Sequence, residues 1–134
     1  CDRYKIIYLR PSNKIIKDNS VVYDLDECEL LKSFQITDGQ ELYEQVKDKL
    51  KIRNFNHFQL LLHSNCERFV SVQGGNCVLA SYFGGTNIIY AKKGRELKCG
   101  AYGGHYQKYS NCNILHANTY DKFLLLIKNN FVSI

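Results

Sequence analysis

The sequence predicts an α+β fold: a mostly antiparallel β-sheet, stabilised by disulfides, with one main amphipathic helix at about 38–51 packed on one face. Three observations predict it. From residue 57 onward the chain breaks into short strand-like runs between turn residues, spaced too closely for helical crossovers, which requires antiparallel pairing. Between about 38 and 51, Leu42, Tyr43, Val46 and Leu50 recur at helical spacing. Six cysteines are spread along the 134 residues instead of being gathered in one motif, the pattern of a disulfide framework in a small domain.

Taken in order, Tyr4 to Leu9 and Lys14 to Lys17 are β-rich and flank Arg10-Pro11-Ser12-Asn13, a turn with proline at its second position, so an N-terminal hairpin is expected. A short strand follows near Val21 to Tyr23. Leu25, Cys28, Leu30 and Leu31 predict a shorter helix at about 25–34, capped by Asp24 or Asp26. Thr37-Asp38-Gly39-Gln40 has the form of a capping box and starts the main helix. The strand-like runs are His57 to His63, Arg68 to Val72, Cys77 to Phe83, Asn87 to Ala91, Arg95 to Tyr102, Cys112 to Ala117 and Lys122 to Ile127. The diglycines Gly74-Gly75, Gly84-Gly85 and Gly103-Gly104 supply turns or bulges. The expected core is Ile6, Tyr8, Leu42, Val46, Leu50, Phe58, Leu60, Leu62, Val70, Val72, Leu79, Ile89, Leu115, Phe123, Leu125 and Ile127. No Pro/Gly/Ser-rich linker interrupts the chain, so a single domain of residues 1–134 and a monomer are expected.

No run reaches the roughly 18 apolar residues of a membrane helix. The chain has no methionine and opens at Cys1, from which a processed N-terminus is expected, most simply after removal of a secretory signal peptide. With that origin, Cys1, Cys28, Cys66, Cys77, Cys99 and Cys112 read as three disulfides. Cys99 and Cys112, flanking the Gly103-Gly104 turn, are the expected local pair.

Charge is uneven. Residues 1–50 carry eight Lys and Arg against ten Asp and Glu, hence −2, whereas residues 51–134 carry ten against three, hence +7. The cations of the second part, Lys92, Lys93, Arg95 and Lys98 among them, are interleaved with Tyr90, Tyr102, Tyr106 and Tyr109. Such a mixture can hold phosphates and stack bases, so nucleic acid enters as a partner class beside the plainer reading of a solvated face. The acidic cluster Asp24, Asp26, Glu27 and Glu29 lacks the spacing of an EF-hand loop and suits a helix start.

Chemistry-bearing motifs are sparse. No G-K-[ST] ending or G-x-G-x-x-G fingerprint accompanies the diglycines. There is no C-x-x-C pair, and His63-x-x-Cys66 with Cys112-x-x-x-His116 is the nearest approach to a zinc ligand set, so neither metal nor cofactor is expected. A metal-free ribonuclease would need two histidines. His57 and His63 would lie roughly 20 Å apart on one strand, too far for one phosphodiester. That leaves His105 and His116 as the weak catalytic candidates.

Two short stretches resemble known families. Ala101-Tyr102-Gly103-Gly104-His105-Tyr106 resembles the histidine loop of ubiquitin-specific and viral papain-like cysteine proteases, a resemblance that implies His105 as the base activating a thiolate, with Asn118 orienting it. Those enzymes carry their nucleophile on a helical thumb domain that this chain has no length to hold. Asn113 to Ile127 resembles the last barrel strands of lipocalins, which implies a small apolar ligand; the lipocalin Gly-x-Trp is missing, because there is no tryptophan.

The function expected from these readings is that of a secreted, effector- or toxin-like interaction protein of virulence and host-interaction type. It would bind a protein partner through its surface, without catalysis. Tyr82, Phe83, Tyr102 and Tyr106 on glycine-flanked turns, with Lys92, Lys93, Arg95 and Lys98, are its expected contact residues. The alternatives are a small basic ribonuclease or RNA-binding protein, and a barrel for an apolar ligand.

Overall fold

A computed structural model describes residues 4–10 and 25–132, and in it the chain divides into two compact units, Cys1–Leu60 and Leu61–Ile134. The expected turn at Pro11 and the strands at 14–17 and 21–23 lie outside the described residues. In the first unit β1 (Ile7–Tyr8) pairs parallel with β2 (Thr37–Asp38), Ile7 opposite Thr37 and Tyr8 opposite Asp38. Between them α1 runs Cys28–Ser33, and Arg10 Nη1 donates to both carboxylate oxygens of Glu27 at its start, at 2.7 and 2.9 Å. α2 (Gly39–Val46) is capped by Asp38, whose Oδ1 accepts from the Gln40 N–H at 2.7 Å. The helix expected to reach residue 51 thus ends at Val46, and the chain leaves its last turns through Lys51 at φ 53°.

α3 (Phe55–Ser64) replaces the expected strand His57 to His63. Its start is set by Asn54, whose Oδ1 accepts from the His57 N–H at 2.9 Å and takes up an otherwise unpaired donor of the first turn. The run Gln59-Leu60-Leu61-Leu62 consists of good helix formers, and a short apolar run of this kind satisfies either period. Tyr43, Phe55 and Phe58 form a ring cluster with centroids 5.4–5.7 Å apart, and Phe55, Phe58, Leu31 and Ile52 are buried.

The second unit overturns the expected sheet. β3 (Arg68–Val72), β4 (Thr86–Tyr90) and β5 (Asn113–Ala117) form one sheet in that order, and every pairing is parallel, with Val70 opposite Ile88 and Ile88 opposite Leu115. Of the runs read as strands, Cys77 to Phe83 is mostly α4 (Gly75–Ser81). Arg95 to Tyr102 is α5 (Arg95–Lys98) leading into a π-helical turn at Ala101–His105, and Lys122 to Ile127 lies in α7 (Tyr120–Ile127). α6 (Tyr106–Ser110) completes the set of seven α-helices among the described residues. With helices between them, successive strands return in the same direction, which a hairpin cannot do. The connections that looked too short for crossovers suffice because α4 spans only 7 residues.

One core lies between the sheet and the α4, π-turn and α6 layer: Cys77, Ile89, Ala91, Tyr102, Cys112 and Ile114. Strand alternation turns Ile88 and Tyr90 to the opposite face, where the Tyr90 ring meets Phe123 of α7 at 5.5 Å. β4, buried from both faces, is the central strand, whereas Val70 and Val72, expected in the core, are 51% and 66% exposed on edge strand β3. Leu50, Leu60, Leu125 and Ile6 are likewise exposed, and Phe58 and Ile89 are buried.

A buried polar network ties the layers. The Asn87 amide donates to the Cys77 carbonyl at 3.1 Å and to Ser81 Oγ at 3.0 Å, and its oxygen accepts from Ser71 Oγ at 2.8 Å. Ser81 Oγ in turn donates to the Cys77 carbonyl at 2.7 Å. Ser110 Oγ, which donates to the Ser81 carbonyl, links α6 to α4. With its amide and carbonyl groups partnered, Asn87 avoids the cost of about 1–3 kcal/mol that each unpaired buried polar group carries.

The disulfide framework is also overturned. Cys28, Cys66, Cys77, Cys99 and Cys112 are free thiols, and Cys1 lies outside the described residues. Cys77 and Cys112 are buried at 0% and 1% exposure and act as small apolar core residues. Burial pushes the thiols of Cys66, Cys77 and Cys112 up, and likewise the phenols of Tyr8, Tyr102 and Tyr106. A group whose pKa is raised by folding stabilises the fold below its unfolded pKa and loses that contribution as pH climbs through the folded one. The urea midpoint is therefore expected to stay level near neutrality and fall above about pH 8.5, and a midpoint that rises there contradicts the assignment. In the native protein a thiol reagent is expected to label exposed Cys28 and Cys99 first, reaching Cys77 and Cys112 only on unfolding.

Candidate functional site

In an open parallel sheet, loops leaving the carboxyl ends of the strands collect on one edge, and ligands bind there where the strand order reverses, a reversal that the three described strands, in sequential order, do not include. Here the edge is formed by Gln73-Gly74-Gly75 after β3, Ala91-Lys92-Lys93-Gly94 after β4 and Asn118-Thr119 after β5. The loops are braced. Gln73 continues the sheet by donating its N–H to the Tyr90 carbonyl at 2.9 Å, and its side-chain amide crosses to Glu96 Oε2 at 2.6 Å. Gly94, at φ 147°, makes the crossing possible: a Cβ there would run into the Gln73 amide and sit 3.0 Å from the Glu96 carboxylate. On the other side His116 Nε2 lies 2.8 Å from the Ala91 carbonyl. A carbonyl only accepts, so Nε2 carries the proton.

Within this frame the backbone at Gly75 stands open. Apart from its chain neighbours and its own helix backbone, no atom lies within 4 Å of where its Cβ would be, and it begins α4 without a left-handed φ. Lys92 and Lys93 are exposed on the neighbouring loop. Behind them the Tyr102 ring packs on His116 at 5.5 Å, and its buried hydroxyl rests against the Cys77 thiol without an oxygen or nitrogen partner. Burial, with that thiol and the Glu96 carboxylate nearby, holds this phenol far above the ordinary tyrosine range.

The charge of the whole stretch matches. Residues 68–120 contain six Lys and Arg (Arg68, Lys92, Lys93, Arg95, Lys98, Lys108) and one carboxylate, Glu96, of which one oxygen is taken by Gln73.

Of the residues singled out from sequence, Lys92 and Lys93 lie at this edge, and Arg95 and Lys98 are exposed on α5. Tyr82 and Tyr106 meet edge-on at 5.9 Å on the outer helical layer, Tyr102 is buried at 4% exposure, and Phe83 packs on His63 at 5.7 Å. His105 and His116 serve different surroundings: His105 is exposed and touches Tyr106 and Tyr109, while His116 is committed to Ala91. His63 stacks on Phe69 at 5.5 Å, and among the described residues no group of three His, Cys, Asp or Glu is arranged to hold a metal ion. Gln73, Gly75, Gly94 and Glu96 were missed by sequence reasoning. Their one signal was Gly74-Gly75 directly after a good strand, visible only once the following run is read as a helix.

No protein-family model matches the chain, and neither the curated proteins nor the solved structures include a match. Among the described residues no helix is long and apolar enough to cross a membrane.

Proposed function

We propose that the chain binds a phosphorylated small molecule at the carboxyl edge of the β3–β5 sheet. The observation that carries this reading is that an open glycine backbone at Gly75 and the Lys92-Lys93 loop follow the carboxyl ends of adjacent parallel strands, in a stretch whose sole carboxylate is bridged by Gln73. Glycine admits close approach of a ligand to the backbone, and lysine ammonium groups offset phosphate charge. The connectivity of three sequential parallel strands with intervening helices is that of one half of a doubly wound nucleotide-binding sheet, an analogy of topology alone. This reading replaces the protein, nucleic-acid and apolar-ligand partners expected from the sequence with an anionic small molecule.

Isothermal titration with inorganic pyrophosphate and with a nucleoside diphosphate tests the reading. Binding is expected at low salt and weakens as salt rises, and Lys92→Ala with Lys93→Ala together should weaken it about tenfold or more with the thermal midpoint unchanged, since charge-assisted contacts are worth about 1.5–3 kcal/mol each. No heat with either probe at low salt sinks the proposal.

A further inference from the structure

On the outer helical layer, four rings follow one another in space: Tyr82 after α4, Tyr106 and Tyr109 on α6, and His105 at the end of the π-helical turn. Tyr82 meets Tyr106 at 5.9 Å and 70°, His105 meets Tyr106 at 5.9 Å and 72°, and His105 meets Tyr109 at 5.2 Å and 70°. Every contact is edge-to-face. Such pairs are held by ring quadrupoles and cover one face of one ring, whereas a stacked pair hides a face of each. Tyr82 is 49% and Tyr109 66% exposed, and His105 is exposed as well. Tyr106 rests on buried Tyr102 at 6.2 Å, which anchors the group in the core. Lys108 lies between Tyr106 and Tyr109 on α6, Lys98 precedes the turn, and no carboxylate occurs from Leu97 through Tyr120.

We infer that this ring cluster with Lys98 and Lys108 is a binding surface for single-stranded nucleic acid, separate from the carboxyl-edge site. Uncovered aromatic faces accept bases of any sequence, and cations beside them meet the phosphate chain. A duplex hides its base faces and is read in the major groove by an element such as a helix, and α4 and α6, at 7 and 5 residues, offer little length for that. Since a different set of residues carries it, the inference stands apart from the phosphate site.

Fluorescence anisotropy with a labelled oligo-dT of about a dozen nucleotides tests it on the full chain. Association is expected at low salt, falling with salt at a log–log slope of about −0.7 for each phosphate engaged. Tyr82→Ala and Tyr109→Ala, both at exposed positions, should each weaken binding about tenfold, Tyr109→Phe should restore it, and Lys92→Ala with Lys93→Ala should weaken it less than either tyrosine change. Four results overturn the inference: no association at low salt, equal affinity for a duplex of the same length, preference for anionic lipid vesicles, or loss of binding on Lys92→Ala and Lys93→Ala with none on the tyrosine changes.

Discussion

Gly85→Ala is expected to lower the thermal midpoint by about 10 °C or more, while Gly84→Ala one residue earlier lowers it by about half as much or less. Both glycines have left-handed backbones, φ 78° at Gly84 and 68° at Gly85, so both substitutions carry the dihedral cost of about 1–2 kcal/mol. They differ in what a methyl group would meet. At Gly84 the nearest atom is the Ser110 carbonyl oxygen at 3.7 Å, an ordinary contact. At Gly85 it would drive into the backbone of Glu67, striking carbonyl oxygen, carbonyl carbon and Cα together. That backbone is fixed: the Glu67 carbonyl accepts from Thr86 N–H at 2.8 Å, and the Gly85 carbonyl accepts from Asn113 N–H at 2.8 Å. These two bonds begin the β3–β4 and β4–β5 ladders, so relief of the clash at Gly85 breaks one or both. Overpacking adds roughly 1–3 kcal/mol, a large part of the marginal stability of a domain. Thermal unfolding of the two variants side by side decides the matter, and equal losses would show that the close approach at Gly85 is not what limits the position.

Gly75→Ala is expected to abolish most ligand binding at the carboxyl edge, by tenfold or more, without destabilising the protein. Gly75 has no left-handed φ and, beyond its chain neighbours and its own helix backbone, no atom within 4 Å of its would-be Cβ, and it opens α4, where alanine is favoured over glycine by roughly 0.5–1 kcal/mol. The thermal midpoint should hold or rise slightly. The added methyl group occupies the space through which a phosphate would reach the main chain. Titration of the variant with pyrophosphate, alongside thermal unfolding, separates the two effects. Wild-type affinity in a stable Gly75→Ala protein would mean that the ligand does not approach this backbone.

Part of this could be read from residues alone, because it depends only on composition and neighbours in the chain. The excess of cations after residue 50 is a property of the sequence, and its concentration at 68–120 with Glu96 alone opposing needs no fold. A capped helix start at residues 37–40, read as a Thr37 capping box and supplied one residue on by Asp38, and strands at Arg68–Val72, Thr86–Tyr90 and Asn113–Ala117 to within a residue or so, follow from local side-chain chemistry and β-branched or aromatic content.

What only the tertiary structure decided turns on runs of five to eight residues such as Cys77 to Phe83 and Lys122 to Ile127. Short apolar runs of this kind fit a strand or a buried helix equally. One such choice changes the whole topology: a helix between two strands makes a parallel crossover, and a strand there makes an antiparallel meander. The selection comes from burial that no local window contains. Tyr102 of the π-helical turn, Cys77 of α4 and Cys112 before β5 share one core with Ile89 and Ala91, although separated by up to 35 residues of chain from Cys77 to Cys112. The same burial keeps those cysteines as packed thiols where spacing alone suggested bridges. It also brings Gln73 against Gly94 and Glu96, so that the braced carboxyl edge exists only once β3 and β4 lie side by side.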